Sequence, residues 1–307
     1  MKILKWVGIV LGSIVGVAAL AIVALGWREP RGTYLSVDPA PIPVPADAEA
    51  VARGRYVAHA LAACGVCHGE DLGGQVMSDS RIFGYIRTPN LTPGQGGVGS
   101  RYTDVDWIRA IRHGLTPDGR VFAFMPVDHY FHITDADLGD MIAYLKSLPP
   151  ADNEGQVMRL GLVPKAIMNS GIMGDLVRPT LMDHDRPRPT PPAERGAYLA
   201  LIGGCDFCHG SSLGGGQGPE PGAPPGPDIT GAGTLGDYSL DDFVQVMRFG
   251  VTPAGRTIAP PYMPWFAYRQ MNDADLKHLY DYLRGLPASG PAVAQVYGIA
   301  GSGAREQ

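Results

Sequence analysis

Positive charge never gathers in this sequence. Its 25 lysines and arginines are scattered among 30 acids over 307 residues, leaving a net charge of −5. A nucleic-acid-binding face needs a basic patch or stripe, so no nucleic-acid partner is expected. Cysteine is scarce too, four in all, and none lies outside two short stretches beginning at Cys64 and Cys205. No segment alternates apolar and polar residues convincingly enough to read as a strand, so the fold is expected to be mostly α. Aromatics are only 8%, yet 45% apolar residues suffice for real cores, and the length suggests two domains of ordinary size.

Only one apolar run is long. In "MKILKWVGIVLGSIVGVAALAIVALGWREPR" no charge interrupts the 22 residues from Trp6 to Trp27. As a helix this run would span about 33 Å, the thickness of a bilayer's hydrocarbon core. Trp6 and Trp27 would mark the two interfaces, with Lys2 and Lys5 beyond the inner one. A cleaved signal peptide is the competing reading, since Ala19-Leu20-Ala21 imitates a cleavage site. That site falls inside the run rather than after it, and the run exceeds a signal's usual apolar length. Residues 1–27 are therefore expected to be a transmembrane anchor. Prolines at 30, 39, 41, 43 and 45 make residues 28–50 an expected semi-rigid tether.

Beyond residue 50 the chain repeats itself. "ARGRYVAHALAACGVCHGEDLGG" (52–74) matches "ERGAYLALIGGCDFCHGSSLGG" (194–215) with one residue fewer in the second copy. "YTDVDWIRAIRHGLTPDGR" (102–120) matches "YSLDDFVQVMRFGVTPAGR" (238–256), and "ITDADLGDMIAYLKSLPP" (133–150) matches "MNDADLKHLYDYLRGLPA" (271–288). Two repeats are too few for a solenoid, so a tandem pair of compact α domains is expected over 51–150 and 193–288. Leu138, Ile142 and Leu145 recur at helical spacing behind Thr134 and Asp135, and Pro149 stops the run. Leu276, Leu279 and Leu283 repeat the pattern between Asn272 and Pro287. Residues 151–192 form a linker whose apolar middle, Leu160 to Val177, is too broken by Gly161, Pro164 and Gly171 to cross a membrane. It is expected to pack on a domain, a partner or the membrane. A loose tail is expected over 289–307.

All four cysteines sit in Cys64-Gly-Val-Cys67-His68 and Cys205-Asp-Phe-Cys208-His209. A structural zinc site normally draws its four ligands from one small module, whereas these pairs are a domain apart. A thioredoxin-like pair or a local disulfide gives the histidine no role. Haem c attachment uses all three residues: two thiols take up the vinyl groups and the adjacent imidazole binds iron.

With these motifs the chain resembles membrane-anchored dihaem class I c-type cytochromes. It is similar also to the cytochrome c subunit of bacterial alcohol and gluconate dehydrogenases, although those subunits carry three haem motifs and this chain two. The resemblance extends to "TPNLTP" (88–93), "GPDIT" (226–230), "YLKSLPP" and "YLRGLPA". It implies two tandem class I cytochrome c domains with two covalently bound haem c. Cys64, Cys67, Cys205 and Cys208 would attach the haems, with His68 and His209 as proximal ligands. It implies a distal ligand, usually Met, before each last helix. "FAFMPVDHY" offers Met125 and "PPYMPWFAY" offers Met263, each stiffened by a following proline. His129 and His132 stand close enough beyond Met125 to compete with it. Met77, Met141, Met247 and Met271 read as packing residues. The carbonyls of Pro89 and Pro227 would fix the proximal tautomers. Gly54 with Tyr56, and Gly196 with Tyr198, would let the first helix of each copy cross the last near Tyr144 and Tyr282.

The resemblance further implies no catalytic residues of the chain's own. Electron transfer is expected, between a membrane or periplasmic dehydrogenase or quinol oxidiser and a terminal acceptor. The partners would be redox proteins, subunits of a membrane respiratory complex, and the haem domains would lie on the periplasmic side of the bacterial cytoplasmic membrane. The alternative is a dihaem enzyme of peroxidase or oxidase type with one open iron.

Overall fold

The computed structural model describes residues 2–29, 34–122, 124–155, 158–170, 182–184, 194–216, 224–260 and 262–287. The expected loose tail lies outside them, as does the linker from 171 to 177. The chain is mostly α. Helix α1, Lys2–Gly26, projects from the rest of the protein, exposed from Lys5 to Ala24 and covered only at its end, at Leu25 and Gly26.

The first repeat runs α2 (Ala48–Tyr56), a π turn (Val57–Leu61), α3 (Cys64–His68), hairpin β1–β2 (Val76–Ser80, Gly84–Arg87), α4 (Asp104–His113), α5 (Val127–Tyr130) and α6 (Asp135–Lys146). Strand β3 (Met158–Leu160) and α7 (Leu162–Asn169) come from the linker. The second repeat runs α8 (Arg195–Ile202), α9 (Asp206–His209), β4–β5 (Gly214–Gly216, Gly226–Asp228), α10 (Leu240–Phe249), α11 (Trp265–Tyr268) and α12 (Asp273–Gly285).

Local signals repeat with the sequence. Thr103 and Ser239 cap α4 and α10, and Asp106 and Asp242 answer from the third helical position, closing a capping box at each start. Gly114 and Gly250 end the same helices in the left-handed conformation. Thr134 and Asn272 cap the two last helices. The one-residue difference between the copies is absorbed in the π turn, where the Ala62 N–H reaches back to the Val57 carbonyl at 2.8 Å.

Glycine sets the helix crossings. A Cβ on Gly54 would stand 1.8 Å from the Asp140 carbonyl oxygen, and one on Gly196 would stand 2.1 Å from that of His278 and 2.5 Å from Tyr282 Cβ. The two closest approaches are at aligned positions, Asp140 and His278, each one helical turn before the expected Tyr144 and Tyr282. Tyr56 and Tyr198 do not serve their own crossings. Tyr56 donates to Asp275 Oδ2 at 2.8 Å, and Tyr198 donates to Asp137 Oδ2 at 2.6 Å. Each thus ends in the opposite repeat, at matched positions, so the copies face each other about an approximate two-fold axis. One continuous hydrophobic cluster runs from Val57 through Leu138 and Leu199 to Leu283.

Three expectations need correcting. Five short strands exist among the described residues, in sheets ordered β1-β2-β3 and β4-β5. Strand β1 buries neither face, so no apolar alternation marks it in the sequence. The proline-rich stretch expected as a tether is laid along the first repeat from Tyr34 onward. The Leu35 N–H donates to the Gly119 carbonyl at 2.9 Å, the Val37 carbonyl accepts from Arg109 Nε at 2.9 Å, and Ile42 and Val44 pack on the core. Proline keeps it extended, and the apolar residues between the prolines give it a surface to bind. Met141, Met247 and Met271 are buried as expected, but Met77 is half exposed.

The linker also holds to the first repeat. Ala151 accepts from the Asn90 side chain at 2.6 Å, β3 extends the hairpin, and His184 Nδ1 lies 3.0 Å from His113 Nδ1. Its helix α7 packs on the end of α1.

Candidate haem attachment sites

Cys64 opens α3 directly after Ala63, which stands in the left-handed region at φ 51°. That bend lets a single helical turn begin at the first cysteine, so Cys64, Cys67 and His68 share one short element. In the second repeat Gly204 takes the same conformation at φ 65° and Cys205 caps α9. All four cysteines are free, so neither pair is a local disulfide. Burial pushes the Cys64 and Cys205 thiols up to about 12. Without a neighbouring cation or base among the described residues to lower them, they lack the setting of a reactive redox pair. No cluster of three or more His, Cys, Asp or Glu able to hold a bare metal ion occurs among the described residues.

The two imidazoles are oriented alike. His68 Nδ1 lies 2.9 Å from the Pro89 carbonyl oxygen, and His209 Nδ1 lies 2.8 Å from that of Pro227. A carbonyl only accepts, so Nδ1 carries the proton and Nε2 presents its lone pair. Burial lowers both pKa values, and the carbonyl bonds pull only partly the other way. The rings are thus neutral and in the tautomer that can bind iron through Nε2. The loops carrying those prolines are tied back to the cysteine helices. Thr88 Oγ1 donates to the Cys67 carbonyl at 2.7 Å, and the Leu91 N–H donates to the Leu72 carbonyl at 2.8 Å. Leu72 and Leu213, fully buried at φ 56° and 61°, hold the same strained turn in both copies.

Met125 and Met263 are partly buried against the core in matched turns. Their carbonyls accept from the Val127 and Trp265 N–H groups, each at 2.8 Å, and Pro126 and Pro264 cap α5 and α11. The rivals of Met125 are engaged elsewhere. His129 Nε2 is 2.9 Å from Asp206 Oδ1 and Nδ1 is 3.4 Å from Asp128 Oδ1. Burial lowers the pKa of His129, but the two carboxylates outweigh it and hold the ring protonated, up to about 9. His132 is buried edge-on against Phe131.

Several residues in this region had no sequence signal strong enough to single them out. Tyr130 and Tyr268 donate to the carbonyls of Ala62 and Gly203, just ahead of the first cysteine of each motif. Their shared offset of five residues from the Met-Pro pairs could have revealed them. Arg87 Nη2 and Trp107 Nε1 are buried donors without a partner among the described residues. Buried N–H groups are nearly always satisfied, so these two fit a group beyond the protein's own atoms, such as the carboxylates haem carries. Neutral paired thiols, tautomer-fixed imidazoles and orphaned donors together fit covalent haem c.

A profile of the cytochrome c family matches residues 51–149 and 193–287, together more than half of the chain. A diheme cytochrome c-type protein of Cereibacter sphaeroides is 28% identical over 67% of this chain and 73% of its own length. The cytochrome c subunit of an alcohol dehydrogenase (quinone) of Gluconacetobacter polyoxogenes is 27% identical over 79% of this chain and 57% of its own. The gluconate 2-dehydrogenase cytochrome c subunit of Pantoea cypripedii is 42% identical over 29% of this chain, which spans 22% of that relative.

Proposed function

The chain belongs to the cytochrome c family and carries two covalent haem c groups, and from that premise we propose that it is a membrane-anchored electron-transfer subunit. Its donor is a dehydrogenase of small organic substrates or a quinol oxidiser, and its acceptor a further redox protein. The relatives named as dehydrogenase cytochrome subunits support that choice of partner. Helix α1 is the single membrane span, residues 51–150 and 193–288 are the haem domains, and both lie on the periplasmic side.

The bound haem supplies reversible one-electron chemistry at iron. The chain's own residues do the rest. Cys64, Cys67, Cys205 and Cys208 would hold it by thioether bonds, and His68 and His209 would bind iron through Nε2. Met125 and Met263 would supply the second ligand, and the core around Leu72 and Leu213 keeps water away. An iron bound by two protein ligands would leave no position for a substrate, which favours a carrier over an enzyme. A thioether is a weak, soft ligand and raises the potential at both centres.

The observation that carries this reading is the duplication itself: an oriented imidazole and a Met-Pro turn occur in matched positions in both copies. Optical spectra of the purified protein, oxidised and reduced, with and without carbon monoxide, test it. Two c-type haems per chain and no shift with carbon monoxide are expected. A shift at one haem would instead mark an open iron and turn the reading toward a dihaem enzyme of peroxidase or oxidase type.

A further inference from the structure

One surface of the first repeat serves none of the haem chemistry. The β1–β2 hairpin ends in a turn whose Ile82 and Phe83 are 60% and 55% exposed. Met77, Met158, Leu162 and Ile167 are exposed on the neighbouring strands and on α7. The attachment fold does not require them. In the second repeat the corresponding stretch beyond Leu213, "GGGQGPEPGAPPGPD", holds no large apolar residue. Exposed large apolar residues gathered on adjoining elements call for a partner.

The patch is clamped to the end of α1. The Gly161 N–H donates to the Phe83 carbonyl at 3.1 Å, and a Cβ on Gly161 would stand 2.1 Å from the Ile82 carbonyl oxygen, so the hairpin tip sits on the start of α7. A Cβ on Gly26 would stand 2.3 Å from the Leu162 carbonyl oxygen. Asn169 Nδ2 donates to the carbonyls of Leu25 and Arg28 at 2.8 and 3.0 Å, and Lys165 pairs with Glu29. Gly26 is the last residue of α1, and Trp27 beside it, the end of the uncharged run, is 81% exposed. Resting on the reading of α1 as a membrane span, Gly26 lies at the bilayer surface, and whatever is fastened to it lies there too. Arg28 follows the end of α1, Arg81 precedes Ile82 in the hairpin turn, Arg159 lies on β3 and Lys165 on α7, against Glu29 beyond α1 and Asp79 on β1. Exposed apolar side chains on elements that carry an excess of basic residues suit the boundary between acyl chains and anionic headgroups.

We propose that the Ile82–Phe83 tip and the exposed side of α7 rest in the headgroup region of the same bilayer that α1 crosses. The first haem domain is then held at a fixed height and tilt above the membrane rather than swinging on its anchor.

The full-length holoprotein in nanodiscs of phosphatidylethanolamine and phosphatidylglycerol tests this by carbene labelling. A hydrophobic diazirine dissolved in the bilayer is photolysed, and labelled peptides are mapped by mass spectrometry. Peptides carrying Ile82–Phe83 and Leu162–Asn169 should be labelled severalfold above the peptide carrying Phe249, which is 55% exposed on the second repeat and reports adsorption from water. If α1 is labelled while the other two peptides match the Phe249 level, the surface contact is wrong and the anchor stands. If α1 itself stays at that level, the anchor reading fails and takes this proposal with it.

Discussion

His129 shows how much one side chain can carry in the joint between the repeats. Its ring is buried between Asp128 and Asp206, and Asp206 lies between Cys205 and Cys208. Burial alone would discharge it, yet the carboxylates raise its pKa from 6.5 to about 9. A histidine raised above its unfolded value contributes stability in full below that value and loses it as pH climbs through the folded one. At roughly 1.4 kcal/mol per unit, about 3 kcal/mol is at stake between pH 6.5 and 9. Urea unfolding of the holoprotein, followed by far-ultraviolet dichroism, should show that alkaline loss. His129→Gln, which cannot ionise, should be weaker at pH 6.5 by about 3 kcal/mol and nearly flat up to pH 9. A wild-type profile equally flat over that window would mean the ring is neutral and the ion pair absent.

Among the elements, the helix crossings are the least forgiving feature. A methyl group on Gly54 or Gly196 meets backbone, not a flexible side chain that could step aside. Gly54→Ala and Gly196→Ala should each cost about 1–3 kcal/mol in the same unfolding experiment, through overpacking. Gly285→Ala, at the end of α12 with nothing within 4 Å, should change stability by less than about 0.5 kcal/mol. Equal effects at all three sites would show that the close approach at the crossing does not set the cost, since helix propensity alone favours alanine over glycine. Much of this level could be read in the sequence. The capping residues Thr134 and Asn272, the proline stops and the Gly-Tyr pairs are local signals, and local signals survive without a structure. The missing residue in the second copy was visible too, but not that a π turn would absorb it. Strands β1 and β3 were illegible for another reason. The partner of β3 is far away in sequence, and neither strand offers a buried face to set an alternating pattern.

For the whole molecule, what sequence reading missed is the joint. Tyr56 and Asp275 are 219 residues apart, as parts of two copies that look self-sufficient when aligned. An alignment of repeats brings equivalents together and hides contacts between non-equivalent positions. The joint has physical consequences, because the apolar cluster passes through it without a break. Tyr56 accepts from the Asn272 N–H at 3.1 Å while donating to Asp275, and Tyr198 stands likewise between Thr134 and Asp137. Burial opposes ionisation of Asp275, but Arg195 and Tyr56 prevail and hold its carboxyl below the usual range. Cores joined in this way should unfold together. The wild-type holoprotein should therefore give a single denaturant transition, with Soret and far-ultraviolet dichroism superimposed. Tyr56→Phe and Tyr198→Phe should each lower its free energy by about 1 kcal/mol, as expected for one hydrogen bond to a carboxylate that keeps other partners or water. Arg195 pairs with Asp275 and lies over the Tyr198 ring, so the two sites share a network; the double variant should depart from their sum and still unfold in one step. Two separated wild-type transitions would mean that the repeats are independent domains and that the joint contributes little to holding the haems in register.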